Sequence, residues 1–472
     1  MKNIFIINGS PKPKYSITLQ TSLFLQKKFT DCNFEFSHVA KLNKELDTNP
    51  NEVFEKICVS DIVIFSYPVY TFIAPYQLHL FIEKLKKHNF DFSGKVATQI
   101  TTSKHFYDVT AHRYIKDNAL DLGFNFINGL SADMEDLLKT SGQKEAENFF
   151  KRVLWCTENQ LFDDYPNKNQ NSISTEKPTS IVKFTDEFKI DLPKDDSKEI
   201  VIITDYDKSN PQDKNLKLMI DKFIDLLPYK TKIVNIREYK FKGGCLGCFR
   251  CASDGKCIYT DGFDEFLRNE IQTASSMIYA FRIKEHSMGS VFKLYDDRQF
   301  CNGHRTVTIG MPVGYLVSGN LSQEENLRTI IQARSDVGGN FLAGIVTDEI
   351  SPSSKENKTE FEIYSLVKNL IFAFENKFTQ SANFYGIGGM KIFRDLIYQM
   401  QGMMKADHKF YKKQGLYNDF PQKHKGKIFA MYLVGLLNSP KLASKIGNKM
   451  NEGMIAPYKK LLDNLDKNAN RV

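Results

Sequence analysis

The first part of the chain alternates short apolar runs with longer amphipathic stretches. Three runs have the length of strands, and the stretches between them repeat their apolar residues at helical spacing. The runs are NIFIIN (3–8), DIVIFS (61–66) and VATQI (96–100), and two of the amphipathic stretches are Thr18–Phe29 and Gln77–Lys87. Such alternation is typical of βαβ units, which build a parallel sheet. Residues 1–156 are therefore predicted to form one α/β domain.

The same alternation returns after a polar interval. Residues 157–197 crowd Asn, Ser, Asp and Pro together with little periodicity, which predicts a linker. Strand-like runs then follow, with helices expected over about 213–227 and near 263–272. The runs are EIVIITD (199–205), KIVNI (232–236), SMIYAF (276–281), TVTIGMP (306–312) and GNFLAGIV (339–346). Residues 198–358 are predicted to repeat the architecture of the first domain, as a repeat of pattern more than of identity.

The remainder of the chain, 359–472, is helical in pattern. Its most apolar run, IFAMYLVGLL, is too short to span a bilayer, and no other segment is long enough. The predicted fold class is thus α/β, with two tandem doubly wound parallel sheets and a helical C-terminal extension. These helices could form a lid or a dimerisation arm, and a homodimer stays open.

Composition adds the size and charge of the protein. The chain has 472 residues, 42% of them hydrophobic and 25% charged, which suits two globular domains. The N-terminus lacks the apolar core of a signal peptide, so we expect a cytoplasmic protein. Residues 381–472 hold 16 Lys and Arg against 6 Asp and Glu. A solvated face, an acidic redox partner or a membrane surface would suit this basic segment, and the absence of a DNA-reading helix argues against nucleic acid.

A loop suited to a phosphate follows the first predicted strand. NIFIIN runs into GSPKPKYSIT (9–18), which matches neither G-x-G-x-x-G nor G-x-x-x-x-G-K-[ST]. The hydroxyls of Ser10, Ser16 and Thr18 and the charge of Lys12 could hold an anion at the start of the next helix. A plain strand-to-helix turn capped by Ser16 fits the same letters.

Two further loops follow strands of the same predicted sheet. YPVYTFIAP (67–75) places tyrosines, prolines and a phenylalanine after DIVIFS, and TTSKHFYD (101–108) follows VATQI. Parallel strands end at one edge, so the three loops should converge on one crevice. A single monophosphate beside a flat ring describes FMN better than NAD or ATP.

These loops resemble those of the flavodoxin-like NAD(P)H-dependent FMN reductases and quinone reductases. The resemblance rests on strand-G-S-P-[KR]-x-x-x-S-x-T and on Y-P-V-Y after a strand, and it covers about 1–155 well and 199–350 more loosely. It implies that the FMN phosphate lies against Ser10, Pro11, Lys12, Ser16 and Thr18. It also implies that the ring is flanked by Pro68, Val69 and Tyr70, and, by position and polarity alone, by Thr101, Thr102 and Ser103.

The densest motif is CLGCFRCASDGKC, with the spacing C-x2-C-x2-C-x5-C. Three sulfurs within seven residues can reach three corners of a cubane, and a Gly-containing turn brings the fourth, so a [4Fe–4S] cluster is predicted. A structural zinc site or redox-active or structural thiols remain alternatives. The motif also resembles that of the iron–sulfur flavoproteins. The predicted ligands are Cys245, Cys248, Cys251 and Cys257.

The two halves therefore differ in what they could bind. The second half lacks Gly-Ser-Pro, and Asp205 and Asp207 would repel a phosphate there. We expect FMN in the first domain to face a cluster in the second, with Tyr70 and His105 near the ring.

The functional hypothesis is an enzyme that uses NAD(P)H to reduce a quinone, a nitro or azo compound, or a redox protein. The alternative is an electron carrier without its own substrate that docks an acidic ferredoxin. A regulatory sensor that responds to cluster loss is a third, weaker reading.

Overall fold

The computed structural model describes residues 1–166, 181–349, 358–418, 425–437 and 449–469. It divides into two compact units. The first unit comprises Met1–Asn171, Gly244–Cys248 and Leu437–Val472, and the second unit comprises Ser172–Gly243 and Phe249–Leu436. Parts of the predicted linker, second domain and extension lie outside the described residues; these parts are 167–180, 350–357, 419–424, 438–448 and 470–472.

The first unit is built on a parallel sheet whose strand order is β2-β1-β3-β4-β5, with β6 paired to β4. This is the flavodoxin-like doubly wound order. The strands are β1 (Lys2–Asn8), β2 (Cys32–His38), β3 (Ile62–Pro68), β4 (Val96–Ser103), β5 (Asn125–Phe126) and β6 (Leu130–Asp133). The helices are α1 (Ile17–Lys28), α2 (Val39–Thr48), α3 (Pro50–Cys58), α4 (Tyr76–Lys87), α5 (Asp108–Asp121) and α6 (Thr140–Asn159).

The core of the first unit follows from the buried central strands. Ile6, Ile64 and Ile100 lie on neighbouring strands and share one apolar cluster with Phe24 of α1. Strands covered on both faces read as continuous apolar runs, which is why NIFIIN and DIVIFS are so uniform. The predicted parallel α/β architecture is confirmed here.

The second unit repeats the strand order. Its sheet runs β11-β10-β9-β7-β8, which is the same order when its strands are counted from β7. The strands are β7 (Asp195–Thr204), β8 (Tyr229–Asn235), β9 (Ser276–Arg282), β10 (Pro312–Ser318) and β11 (Phe341–Thr347). The helices are α7 (Lys214–Leu226), α8 (Arg250–Asp254), α9 (Phe263–Phe266), α10 (Gly289–Arg298) and α11 (Glu325–Gly338).

One predicted strand is misplaced. Residues 306–311 of TVTIGMP form a turn, and β10 begins only at Pro312. Gly310 has φ of +81°, and its N–H donates to the Gly339 carbonyl at 2.7 Å, while Asn340 Nδ2 donates to the Thr308 carbonyl at 2.6 Å. The next run, VGYLV, is fully buried and forms the strand in place of TVTIG. Burial of a run outweighs the β-branched residues that precede it.

The helical extension is confirmed, and its helices divide between the units. They are α12 (Lys358–Asn376), α13 (Phe384–Gln399), α14 (Lys405–Lys413), α15 (Lys425–Leu437) and α16 (Lys449–Ala469). Leu366 and Leu370 of α12 enter the second unit's core, whereas Tyr458 and Leu462 of α16 enter the core of the first unit. None of the helices in the described ranges is both long and apolar enough to cross a bilayer.

Candidate functional site

Three loops meet at the carboxyl edge of the first unit's sheet. The N–H of Gly9, after β1, donates to the Ser66 carbonyl in β3 at 2.9 Å. The N–H of Val69, after β3, donates to the Thr102 carbonyl in β4 at 3.3 Å. The hydroxyls of Thr18 and Thr102 share a hydrogen bond of 2.5 Å, which joins the first loop to the third. The structure thus brings the three predicted loops together.

The first loop is held by side chains from β1 and β2. Asn8 Oδ1 accepts from the Ser10 N–H at 3.2 Å, and Asn8 Nδ2 donates to the Pro13 carbonyl at 2.9 Å. Ser10 Oγ accepts from the Lys12 N–H at 3.2 Å, and the His38 Nε2 atom lies 2.7 Å from the Ser10 carbonyl. The loop is therefore shaped by its own protein contacts.

The loop ends at the start of α1. Ser16 caps this helix, since its Oγ accepts from the Leu19 N–H at 3.2 Å. Helix geometry leaves the N–H groups of Ile17 and Thr18 without intrahelical acceptors, so the helix start presents donors and a positive dipole end. Pro11, Ser16 and Thr18 are buried, and Lys12 is half-buried. These donors are those that an anion such as a phosphate requires.

The second loop contains a tight turn. Tyr70 and Ile73 exchange both backbone hydrogen bonds, at 2.8 and 3.1 Å. Between them Thr71 and Phe72 have φ of +45° and +71°. Positive φ at both central positions is the pattern of a type I′ turn, and it is costly for a β-branched threonine. The backbone after Pro68 and Val69 is therefore strained.

Packing around Phe72 holds this turn in place. The Phe72 ring lies 4.9 Å from Phe106 and 4.8 Å from Tyr107, measured between ring centroids. Thr110 Oγ1 donates to the Phe72 carbonyl and to the Tyr107 carbonyl. The second and third loops thus share one apolar cluster beside the polar edge.

The third loop rests on a buried histidine. Thr101 Oγ1 lies 2.8 Å from His112 Nε2. Burial lowers the pKa of His112 to about 4, although the Asp108 carboxylate opposes the shift. A shallow cleft of about 280 Å³ lies at this point, lined in part by Asp108, His112 and Ser131. The neutral imidazole is therefore the form that supports Thr101 near neutral pH.

His105 lies at the surface of the same loop. Its N–H donates to Ser103 Oγ at 2.9 Å, and its Nδ1 lies 3.0 Å from Asp108 Oδ2. Burial alone would raise the pKa of Asp108, but hydrogen bonds from Ser131 and His105 lower it below its ordinary value. The His105–Asp108 pair is thus partly ordered by the start of α5.

Half of the cysteine motif belongs to the first unit. Gly247, with φ of +60°, lies against Tyr70, and a Cβ there would overlap the Tyr70 hydroxyl. Burial lowers the pKa of Lys12, and the neighbouring Cys248 and Cys245 side chains oppose this shift. The segment Gly244–Cys248 therefore packs beside the first and second loops.

The other half of the motif belongs to the second unit. Cys251 Sγ donates to the Phe300 carbonyl at 2.8 Å, and Arg298 Nη2 lies 3.9 Å from Cys257 Sγ. Arg298 also binds both carboxylate oxygens of Asp261, at 2.7 and 2.8 Å. Although burial opposes it, this pairing lowers the pKa of Asp261 to about 2. Arg298 thus orders the segment that carries Cys257.

The part of the chain that the structure describes contains no preformed metal-binding site. No group of three or more His, Cys, Asp or Glu side chains there is arranged to hold a metal ion. We therefore derive no reaction step through a cluster.

The corresponding edge of the second unit is filled by its own side chains. Asp213, at the start of α7, accepts from the Asp207 N–H at 2.9 Å and from Arg282 Nε at 3.0 Å. Nearby, Asp348 accepts from Ser318 Oγ at 2.6 Å and from the Gly319 N–H at 2.7 Å. A carboxylate thus stands at the helix start, where the first unit has the hydroxyl of its cap, Ser16.

The second unit nevertheless keeps the turn that follows its third strand. Lys284 and Ser287 exchange both backbone hydrogen bonds at 2.9 Å, and Glu285 and His286 have φ of +47° and +61°. Burial raises the pKa of Asp205, beside this edge, to about 7, and Lys284 and Arg237 oppose the shift. The backbone shape is therefore repeated while the side chains have changed.

Sequence reasoning missed several residues that shape the first unit's edge. Asn8, His38, Thr110 and His112 all contact the predicted loops. Asn8 ends a strand directly before the loop, which is a readable signal. The others come from separate elements and depend on register, so nothing in the loop sequences indicates them.

Comparisons with known proteins find likenesses to parts of the chain. No family model matches the chain. The chain is 24% identical over 182 residues to an iron–sulfur flavoprotein of Archaeoglobus fulgidus, a match that covers 36% of the chain and 78% of the relative.

Solved structures give weaker likenesses. A putative quinone reductase from Klebsiella pneumoniae is 14% identical, with a TM-score of 0.26, over 35% of the chain and 87% of its own length. An NAD(P)H:quinone oxidoreductase from Methanothermobacter marburgensis is 13% identical, with a TM-score of 0.27, over 35% of the chain and 99% of its own length. Scores of this size support no conclusion, so the fold assignment rests on the strand order. The similarity to an iron–sulfur flavoprotein over 36% of the chain, with two sheets of flavodoxin-like order, confirms the predicted resemblance to the flavodoxin-like reductases and the iron–sulfur flavoproteins.

Proposed function

We propose that the chain is an FMN-dependent NAD(P)H oxidoreductase whose flavin binds at the carboxyl edge of the first unit's sheet. The main support for this proposal is that three loops meet at this edge. Their meeting places a helix start beside a strained turn. Ligands of open α/β sheets bind at the carboxyl ends of the strands where the order reverses, which here is between β1 and β3. Bound there, FMN would supply hydride acceptance from a nicotinamide and transfer of electrons to an acceptor.

We assign the phosphate to the first loop. Ser10, Pro11, Lys12, Ser16 and Thr18 surround the start of α1. The Lys12 ammonium and the N–H groups of Ile17 and Thr18 would neutralise and orient the phosphate. The Thr18–Thr102 hydrogen bond would fix this loop relative to the third.

We assign the ring to the second and third loops. Pro68, Val69 and Tyr70 lead into the strained turn, which holds backbone groups rigid at the edge. The Phe72 cluster would exclude water from one side of the ring. Thr101, Thr102 and Ser103 would offer hydroxyl and backbone donors to its polar side.

We propose the chemical class of the electron acceptor. Quinone, nitro and azo compounds are flat and apolar, and they suit an edge bordered by Phe72 and Phe106. The names of similar structures include quinone reductases and an azoreductase. We further propose a cytoplasmic location, in keeping with eight cysteines that form no disulfide. We also propose the predicted domain boundaries and a homodimer.

A second candidate is an iron–sulfur flavoprotein that carries electrons without a substrate of its own. The four-cysteine spacing and the similarity to an iron–sulfur flavoprotein favour it. Anaerobic reconstitution followed by measurement of iron and sulfide tests the cluster. About four irons per chain, lost on substitution of Cys248, would support it, and stoichiometric zinc or no metal would reject it.

The experiment for the first candidate uses a matched pair of lysines. Lys12→Gln removes the half-buried cation beside the helix start, and Lys14→Gln removes an exposed one two residues away. We expect Lys12→Gln to raise the Kd for FMN about tenfold and to leave the Kd for riboflavin unchanged, because only FMN carries the phosphate. Lys14→Gln should change neither Kd.

Anaerobic reduction completes this test. NADH or NADPH alone should bleach the visible absorbance of the flavin in the wild-type protein. If bleaching requires a reduced carrier protein, the electron-carrier function is favoured over the enzyme. An FMN affinity that Lys12→Gln leaves unchanged would remove the phosphate assignment.

A further inference from the structure

An exposed apolar patch lies at the amino edge of the second unit's sheet. Two of its side chains come from the turn before β10, and three come from the start of α13. They are Val307, Ile309, Phe384, Tyr385 and Ile387, with exposed fractions of 45, 53, 83, 57 and 46%. We call these five residues the amino-edge patch. Apolar patches of several hundred Å² on a protein surface are often functional.

Both segments of the patch rest on the carboxyl end of α11. A Cβ on Gly339 would lie 3.4 Å from Ile309 Cγ1, and Asn383 Nδ2 donates to Asp336 Oδ2 at 2.8 Å. A Cβ on Gly386 would lie 2.7 Å from the Asp336 carbonyl oxygen, so a glycine there lets the start of α13 approach α11 closely. The turn and the helix start are therefore neighbours on one surface.

The backbone under the patch is held in place. Asn383 Oδ1 accepts from the Gly386 N–H at 2.9 Å, which caps α13, and the Phe384 and Tyr385 rings lie 6.0 Å apart between centroids. The cap needs only Asn383, so an exposed phenylalanine at the first helical position is not explained by helix formation. A rigid surface loses little conformational freedom on binding, which favours association.

The charge of the surrounding segments indicates the partner. Residues 306–320, 338–347 and 378–390 contain no Asp, Glu, Lys, Arg or His. The centres of protein interfaces are depleted of charge and enriched in aromatic residues. A helix that lies in a membrane interface instead carries Lys or Arg on its polar face. A second copy of the same uncharged patch would meet no like charge, so the patch is compatible with itself.

The size of the patch agrees with a symmetric pair. Its exposed side-chain surface is roughly 500 Å² per copy, taking about 200 Å² for a whole large side chain. Two copies would then bury about 1,000 Å², the lower range of specific interfaces, before the surrounding rim is counted. A two-fold axis brings the same patch of both copies together, so each patch supplies the partner of the other.

We propose that the chain forms a two-fold symmetric homodimer through the amino-edge patch, with Phe384, its most exposed side chain, as the main contact. This inference rests on the homodimer proposed above and locates its interface. It does not depend on the flavin, whose proposed site lies in the first unit.

Light scattering of the full-length protein after size-exclusion chromatography tests the proposal. We expect twice the mass of one chain at micromolar concentration in low and high salt alike, because salt screens charges and not apolar contacts. Phe384→Glu should raise the Kd of the dimer at least about thirtyfold, since it would bury a carboxylate from each copy. An acidic residue in the first turn is favoured by the helix dipole, so α13 should be retained.

Phe361→Glu is the matched control. Phe361 is 53% exposed and lies in the first turn of α12. Thr359, in the same turn, donates through Oγ1 to the Thr347 carbonyl at 2.9 Å, which places this turn at the carboxyl edge of the sheet. The control should keep the dimer mass. Circular dichroism checks the folding of each variant. Both variants should bind FMN as the wild type does, and a chain that binds no FMN would leave the dimer measurement unaffected.

Hydrogen exchange read by mass spectrometry locates the interface without any substitution. Peptides covering 306–311 and 384–390 should exchange more slowly in concentrated than in dilute protein. A monomer at micromolar concentration would overturn the proposal, as would a dimer that Phe384→Glu leaves intact or exchange in these peptides that does not depend on concentration. A monomer that floats with lipid vesicles until Phe384 is replaced would assign the patch to a membrane instead.

Discussion

At the residue scale, the carboxyl edge of the first unit's sheet depends on side chains that hold the three loops in place. His112 contacts Thr101, Asn8 bonds to Ser10 and Pro13 of the first loop, and Thr110 donates to the strained Phe72 carbonyl. Each contact uses a partner from another element. Substitutions of these supporting residues should therefore change the conformation of the loops, although the residues themselves do not contact the ligand.

His112 predicts how the first unit responds to pH. Its folded pKa of about 4 lies below the ordinary 6.5, so the unfolded chain binds the proton more readily. Stability is complete above pH 6.5 and falls as the pH drops towards 4, with a loss of about 2 kcal/mol between pH 7 and 5. Denaturant unfolding followed by Trp155, which lies in α6 of this unit, measures it.

The control for this pH effect is His112→Gln. It keeps a hydrogen-bonding side chain and removes the titration, so the slope of unfolding free energy between pH 7 and 5 should flatten by the same amount. An identical slope in both proteins would show that other groups cause the pH dependence.

Gly247 and Gly255 provide a second residue-scale test. Both have positive φ, +60° and +80°, but a Cβ at Gly247 would overlap Tyr70 and touch Lys12, while a Cβ at Gly255 would have nothing within 4 Å. Alanine at either position costs about 1 kcal/mol of backbone strain. Gly247→Ala should in addition displace Tyr70 and raise the Kd for FMN several-fold in a fluorescence titration, whereas Gly255→Ala should not. Equal affinities of the two variants for FMN would show that the segment Gly244–Cys248 does not contribute to the flavin site.

At the element scale, the same turn follows the third strand of each sheet. In the first unit its letters are Tyr-Thr-Phe-Ile, and in the second they are Lys-Glu-His-Ser. Neither set contains the Asn-Gly pair that usually indicates such a turn. Tertiary packing, as by Phe72 and Thr110 in the first unit, stabilises the strained backbone in place of the local sequence.

The docking of α15 yields an element-scale prediction. Gly402→Ala would place a methyl group into the backbone at Met431, so α15 should separate from the second unit. Limited proteolysis should then cut within or beside α15 much faster than in the wild type. Gly388→Ala in α13 is the control, because nothing lies within 4 Å of its Cβ position and helix propensity favours alanine by about 1 kcal/mol. Equal cleavage rates in the two variants would contradict the glycine contact.

Much of the element order could be predicted from sequence, for a definite reason. Buried parallel strands must be continuous apolar runs, and NIFIIN or SMIYAF can be little else. The convergence of loops then follows from parallel topology. The return of α16 to the first unit, where Asp466 pairs with Lys27, spans 439 residues and has no local signal. The division of the cysteine motif between units is equally invisible in its spacing.

At the scale of the whole molecule, one fold is used twice with different edges. The first unit leaves a helix start and polar loops for a ligand. The second unit places Asp213 at its helix start, paired with Arg282, and Asp348 bonded at the ends of β10 and β11. A buried carboxylate already bound by these donors repels a phosphate, so the second sheet should bind no flavin.

Calorimetric titration of the full chain with FMN counts its flavin sites and measures their affinity. We expect a single class of site that saturates at one FMN per chain and is weakened by Lys12→Gln. Two FMN per chain, or saturation that Lys12→Gln leaves unaffected, would contradict it.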